Sequence, residues 1–203
     1  NGWAKYSNFQ LDKHVPSKVA DFLKLPLTQV TYKGKSVIVE GGAIDVNGKG
    51  TLLTSEECLM HPSIQVRNAH FTKADYEAVF KEYLGVTNVI WVGDGIEGDD
   101  THGHIDDLCR FVNEDTIVTI IEDNQKDANY QPLQENLKRL QNAKLENGQT
   151  PKIVCLPMPK RLDFEGLRLP ASYANFLILN QFVLVPTFND SKDRIALNIL
   201  ADC

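Results

Sequence analysis

A repeat constrains this chain more than any other feature. Asn47, Asn113 and Asn180 sit between β-rich runs, at spacings of 66 (113 − 47) and 67 (180 − 113). Each follows a short apolar segment (AIDV, LCRFV, NFLIL) and precedes another (TLLT, TIVTII, FVLVPTF). Turn residues between apolar runs signal hairpins, and Asn47-Gly48 is the strongest signal because both residues tolerate positive φ. A helical pattern follows each hairpin. The first is ADYEAVFKEYLG, opened by Thr72 as a cap and closed by Gly85. The second is LQENLKRLQNAK and the third RIALNILADC, while NVIWVG and KIVCLPM read as the strands that return after the first two. Strand–strand–helix–strand is therefore used at least two and a half times. This predicts an α/β fold of ββαβ modules at roughly 1–35 (partial), 36–95, 105–157 and 172–203 (partial), all within one domain. Ser17 to Leu25 and Gln29 to Tyr32 read as the helix and strand that close the first of these.

Aligning the modules on the three asparagines puts Glu40, Asp106 and Tyr173 at one position, seven residues before the turn, with His104 and Ser172 close by. Modules arranged round a pseudo-rotation axis would bring these residues into one pocket. Among them, WVGDGIEGDDTHGHIDDLCRFV packs two histidines and four of its six acids between Asp99 and Asp107. Acids at that density, with no basic residue among them, call for a cation, either a metal ion or a cationic substrate. THGHIDD nearly spells a His-x-His-x-Asp-His zinc signature, with His102, His104 and Asp106 as donors. Asp107 stands where the closing histidine belongs, and the residues before Thr101 form a polar loop and not a strand.

The segments EGGAIDVNGKGTLLTSEECL, KEYLGVTNVIWV, GDDTHGHIDDLCRFV and PASYANFLILN resemble the agmatine deiminase and bacterial-type peptidylarginine deiminase family. The resemblance runs from NGWAKY to Leu200. It implies a pentein fold, an α/β propeller of ββαβ modules round a central site, here a partial ring. It also implies hydrolysis of a guanidinium group to a ureido group and ammonia through a covalent cysteine intermediate, without a metal or other cofactor. On that resemblance His104 is the general acid and base, Glu40 orients it, and Asp106 clamps the guanidinium. The alignment places Ser172 and Asn175 beside the same pocket, as candidate substrate contacts.

Two parts of the family pattern have no match here: a Trp-x-Arg-Asp-type motif ahead of these segments and the Gly-rich segment that carries the nucleophilic cysteine. Cys58 and Cys155 lie in apolar runs, Cys109 in a hairpin strand and Cys203 at the end of a helix, settings that do not activate a thiol. The resemblance thus implies a chain incomplete at both ends, with its nucleophile elsewhere and little activity alone. A chain 42% hydrophobic and 24% charged is globular in composition, and its net charge of −6 suits a guanidino small molecule or arginyl peptide and disfavours nucleic acid. No long apolar span marks a membrane segment, and the scattered cysteines fit a reducing, cytoplasmic setting. Homo-oligomerisation is compatible with the exposed module faces of a partial ring. Two other functions stay open at this stage, a metal-dependent hydrolase using His102, His104 and Asp106, and an inactive guanidino-binding remnant. Agmatine, free arginine and peptidyl arginine are not separated by the sequence.

Overall fold

The structure, a computed structural model, describes residues 9–203; the NGWAKY segment, with Trp3, lies outside the described residues. After α1 (Val15–Leu23) and a small hairpin of β1 (Thr31–Tyr32) and β2 (Lys35–Ser36), two modules of one design follow. In the first, β3 (Asp45–Val46) pairs antiparallel with β4 (Thr51–Ser55). The chain then runs through α2 (Glu56–Met60) and α3 (Lys73–Leu84) and returns as β5 (Asn88–Val92), parallel to β4. In the second, β6 (Cys109–Phe111) pairs antiparallel with β7 (Thr116–Ile121), α4 (Tyr130–Asn142) crosses over, and β8 (Lys152–Pro157) lies parallel to β7. Two short hairpins complete the strands, β9 (Asp163–Phe164) with β10 (Leu167–Arg168) and β11 (Leu177–Ile178) with β12 (Val183–Leu184), before α5 (Asp193–Ala201).

Local chemistry explains these elements. The central strands TLLTS and TIVTII are buried almost throughout, the state of a strand flanked on both edges and covered on both faces. Thr72 and Asp75 form a reciprocal capping box at the start of α3, and Gly85 ends it at φ 69°, a left-handed turn that glycine adopts without strain. In α4, Leu133 and Leu140 lie two turns apart on the buried face. Each contributes about 1.5–3 kcal/mol by burial. Asp45 of β3 ties the two modules together, accepting from Phe111 N at 2.6 Å and pairing with Arg110 at 3.1 Å.

The repeat keeps a different register from the one the asparagines suggest. Asn47 N closes its hairpin on Thr51 O, whereas in the second module Val112 N closes on Thr116 O, so Asn113 sits one place deeper in its turn. A 3-10 turn precedes each hairpin, Gly41–Ala43 and Ile105–Asp107, and is closed by Ala43 N on Glu40 O and by Asp107 N on His104 O. The structural counterpart of Glu40 is therefore His104, 64 positions on (104 − 40), and not Asp106. Ahead of the β11–β12 hairpin Asn175 N bonds to Ser172 O, so Ser172 heads a similar turn there. Tyr173 is fully buried, its hydroxyl donating to Asp193 Oδ1 at 2.6 Å.

Candidate functional site

His104 and Asp106 are held by a turn whose other residues are anchored in the core. Ile105 and Leu108 are buried at 0% and 1% exposure, which leaves His104 and Asp106 to share a side, with Nδ1 and Oδ1 4.0 Å apart. The loop ahead of them is organised by Asp99. Its Oδ1 accepts from Thr101 N and Oγ1, and its Oδ2 accepts from Gly103 N at 2.8 Å and His104 N at 3.1 Å. Gly103 takes φ +83°, and a Cβ there would meet Glu57 Cβ at 2.9 Å, so only glycine lets the loop lie on α2.

The preceding module supplies Glu40, Gly42 and Cys58. A carboxylate oxygen of Glu40, Cys58 Sγ and a ring nitrogen of His104 lie within 4.8 Å of one another. Gly42 makes this approach feasible. A Cβ built on it would stand 2.5 Å from His104 Nδ1 and 2.9 and 3.1 Å from the Asp106 carboxylate oxygens. Behind Glu40 lies Arg67, whose side chain is fully buried and donates from Nε to Glu40 Oε1 at 2.9 Å.

Among the described residues, the metal-ligating side chains that come within reach of one another are Glu40, Cys58 and His104, not the sequence's trio of His102, His104 and Asp106. His102 bonds through Nδ1 to Glu57 Oε1 at 2.9 Å and packs edge-on against the His61 ring. That pairing keeps it out of the cluster. The observed trio is a poor cation site. The Arg67 guanidinium already bonds to Glu40, and burial pushes the Cys58 thiol up to about 12, so a thiolate there is costly.

The acids that looked self-repelling in sequence mostly have separate partners. Glu97 binds Arg168 at 2.9 Å, and Asp99 caps its own loop. Asp107 accepts from Asn175 Nδ2 at 3.0 Å; burial, with Asp99 and Asp106 adding like charge, pushes it up to about 7. Asp106 is also raised, first by burial, with the nearby His104 and Arg110 opposing. A desolvated carboxylate beside an imidazole favours a cation arriving from the side left open.

Ser172 and Asn175 are brought to this turn, but their polar groups are engaged within the chain. Ser172 Oγ donates to Asp107 O at 2.7 Å and accepts from Ala174 N at 3.1 Å, while Asn175 holds Asp107. None of the cysteines sits in an activating setting. Cys58 and Cys109 are buried, burial raises Cys155, and Cys203 is exposed at a helix end with its thiol also raised. The sequence reading missed Arg67, Gly42 and the place of Cys58. One signal for Arg67 existed, since its nearest acids in the chain are Glu57 and Asp75, far for a local ion pair.

The model of the Porphyromonas-type peptidyl-arginine deiminase family matches residues 1–203. The agmatine deiminase of Pseudomonas fluorescens is 34% identical over 213 residues, covering 96% of this chain and 56% of the relative. Among solved structures, an agmatine deiminase of C. jejuni with substrate bound is 37% identical with a TM-score of 0.85, covering 100% of this chain and 57% of that one. The agmatine deiminase of Enterococcus faecalis superposes with a TM-score of 0.82 at 31% identity, over 94% of this chain and 55% of that one. The chain thus spans just over half the length of the relatives it matches. Family model, relatives and folds agree: the chain belongs to the Porphyromonas-type peptidyl-arginine deiminase family.

Proposed function

We propose that the whole protein carrying these 203 residues hydrolyses a guanidino compound to a ureido product and ammonia. Agmatine, free arginine and peptidyl arginine are the candidate substrates, and agmatine leads because relatives of both kinds, curated and solved, are agmatine deiminases. In this reading all 203 residues belong to one pentein-type domain, a partial ring of ββαβ modules working in the cytoplasm. Among the described residues, no helix is long and apolar enough to cross a membrane.

The observation that carries the proposal is the close set of Glu40, His104 and Asp106 against Gly42. Asp106, desolvated and on the open side of the turn, takes the substrate's guanidinium. A cysteine thiolate from outside these residues forms a bond to the guanidinium carbon. His104 gives a proton to the departing nitrogen, which leaves as ammonia. The neutral imidazole then takes a proton from water, whose oxygen attacks the same carbon and breaks the carbon–sulfur bond to free the ureido product. Glu40 orients the imidazole through both steps. The four cysteines of this chain do not serve as that nucleophile in this reading, because they are buried or lack an activating partner. Ser172 and Asn175 shape the site by holding Asp107.

The test is product analysis. Whole protein incubated with agmatine, arginine and an arginyl peptide should release ammonia and ureido product in equal amounts from one of them. The 203-residue chain alone should release none. No product from any of the three, or turnover by the chain alone that alkylation abolishes, contradicts the reading.

A further inference from the structure

Resting on the deiminase reading above, we propose that Arg67 is a positioning residue for the reaction. Its buried guanidinium engages Glu40 from within the protein, so that Glu40 serves His104 instead of competing for the substrate's guanidinium. Four segments converge on this one side chain, which is 0% exposed. Arg67 Nε donates to Glu40 Oε1 at 2.9 Å, Nη1 to Cys58 O at 3.2 Å and to Gln65 O at 3.1 Å, and Nη2 to Thr101 O. The acceptors belong to the turn that carries Glu40, to α2, to Arg67's own loop and to the loop that leads into His104. Arg67 therefore fixes the relative placement of the two residues whose side chains meet at the site.

The chemistry of a guanidinium substrate gives this contact its meaning. A carboxylate with both oxygens open is a guanidinium binder. Glu40 close to His104 with no resident partner would draw the substrate cation onto the residue meant to orient the imidazole. With Arg67 in place, Oε1 is engaged, and Oε2 is buried without a hydrogen-bond partner. Asp106, whose side chain keeps 27% exposure, is then the carboxylate offered to the substrate. Arg67 also balances charge. Among the groups facing His104 are Glu40 at the head of the turn 41–43, Cys58 from α2, Asp106 on its own turn and Asp99 on the loop before it, with Arg67 behind Glu40. Removing Arg67 alone leaves an excess of negative charge that favours a protonated imidazole. Removing Glu40 alone does the opposite, and removing both nearly restores the balance.

The test uses the whole protein. The parent is first assayed for ammonia release, and Arg67→Met, Arg67→Lys, Glu40→Gln and the Glu40→Gln/Arg67→Met double variant are then compared by kcat, KM and histidine-ring NMR titration. Arg67→Met should lose kcat by about 10²-fold, as expected for misplacement near 1 Å, with no rise in KM because substrate now also binds at Glu40. The His104 titration midpoint should rise by about one unit in Arg67→Met, a Coulomb effect at short range, fall in Glu40→Gln, and return close to the parent's in the double variant. Arg67→Lys should keep the parent's midpoint. A folded Arg67→Met variant with parental kcat and midpoint overturns the proposal, as do both single variants shifting the midpoint the same way. If Arg67→Met does not fold, a midpoint in Arg67→Lys that rises by about one unit overturns it and a parental one supports it. A parent that releases no ammonia from any guanidino compound overturns the deiminase reading itself, whatever the midpoints do.

Discussion

Gly42→Ala isolates the claim that the site depends on a close approach of backbone to side chains. The added Cβ would stand 2.5 Å from His104 Nδ1 and 2.9 Å from Asp106 Oδ2, whereas ordinary contact begins near 3.4 Å. The imidazole or the turn must therefore yield by about 0.9 Å (3.4 − 2.5). Both sides of the gap are constrained, since Ile105 is fully buried and Asp99 pins His104 N. Overpacking of this kind costs about 1–3 kcal/mol of stability. A displacement near 1 Å in a reacting group costs about 10²-fold in rate. Gly41→Ala is the matched control, because a Cβ at Gly41 meets nothing within 4 Å. Measured on the whole protein, kcat/KM should fall by about 10²-fold for Gly42→Ala and remain parental for Gly41→Ala. Chemical denaturation should rank the two in the same order. Equal effects from the two substitutions, or a folded Gly42→Ala protein with parental kcat/KM, would refute the reasoning.

Three further outcomes follow from the same geometry. Asp106→Asn keeps the shape of the clamp but loses its charge, so KM for the guanidino substrate should rise by about 10–100-fold, the equivalent of about 1.5–3 kcal/mol for a charged hydrogen bond, with kcat falling less; an unchanged KM removes Asp106 from substrate capture. Asp107, pushed up to about 7, holds in the native state a proton that the unfolded chain gives up near pH 4. Stability from this group is complete below that lower value and is lost as pH rises towards about 7. Asp107→Asn, which can still accept from Asn175, should flatten urea midpoints between pH 5 and 8, and an unchanged slope refutes the assignment. Ser172→Ala strands Ala174 N and Asp107 O and should cost about 1–3 kcal/mol of stability with KM unchanged; a raised KM at parental stability would return Ser172 to the substrate.

What the sequence disclosed was local, and what it hid was not. Thr72, Asp75 and Gly85 announce the ends of α3 because a cap and a left-handed stop each depend on a few neighbouring residues. The runs TLLTS and TIVTII announce central strands because burial on both faces forbids alternation. His104 and Asp106 stood out by their company of acids. The register of the repeat was misread, since an asparagine can occupy more than one place in a turn: Asn47 Oδ1 accepts from Lys49 N and Thr51 N, Asn113 Oδ1 from Asp115 N and Thr116 N. That one-residue freedom, with one further residue between the 3-10 turn and the hairpin in the second module (104 − 40 = 64 against 112 − 47 = 65), disguised the equivalence of Glu40 with His104. The roles of Arg67 and Gly42 were out of reach for another reason, although the lack of an acid near Arg67 in the chain signalled a distant partner. Their meaning lies in contacts to Glu40, Thr101 and His104, which no local pattern records. For Ser172 and Asn175 the sequence offers a place beside the pocket but not a partner, and in the structure both bond to Asp107.

The central claim is that His104 runs guanidino hydrolysis as acid and base without a metal. The most direct measurement is ammonia release from agmatine by the whole protein and by its His104→Ala and His102→Ala variants, with elemental analysis of all three. The account predicts turnover in the parent, its loss in His104→Ala, its survival in His102→Ala, and no metal that follows the histidines. One zinc per chain in the parent, lost together with activity in both variants, would contradict it.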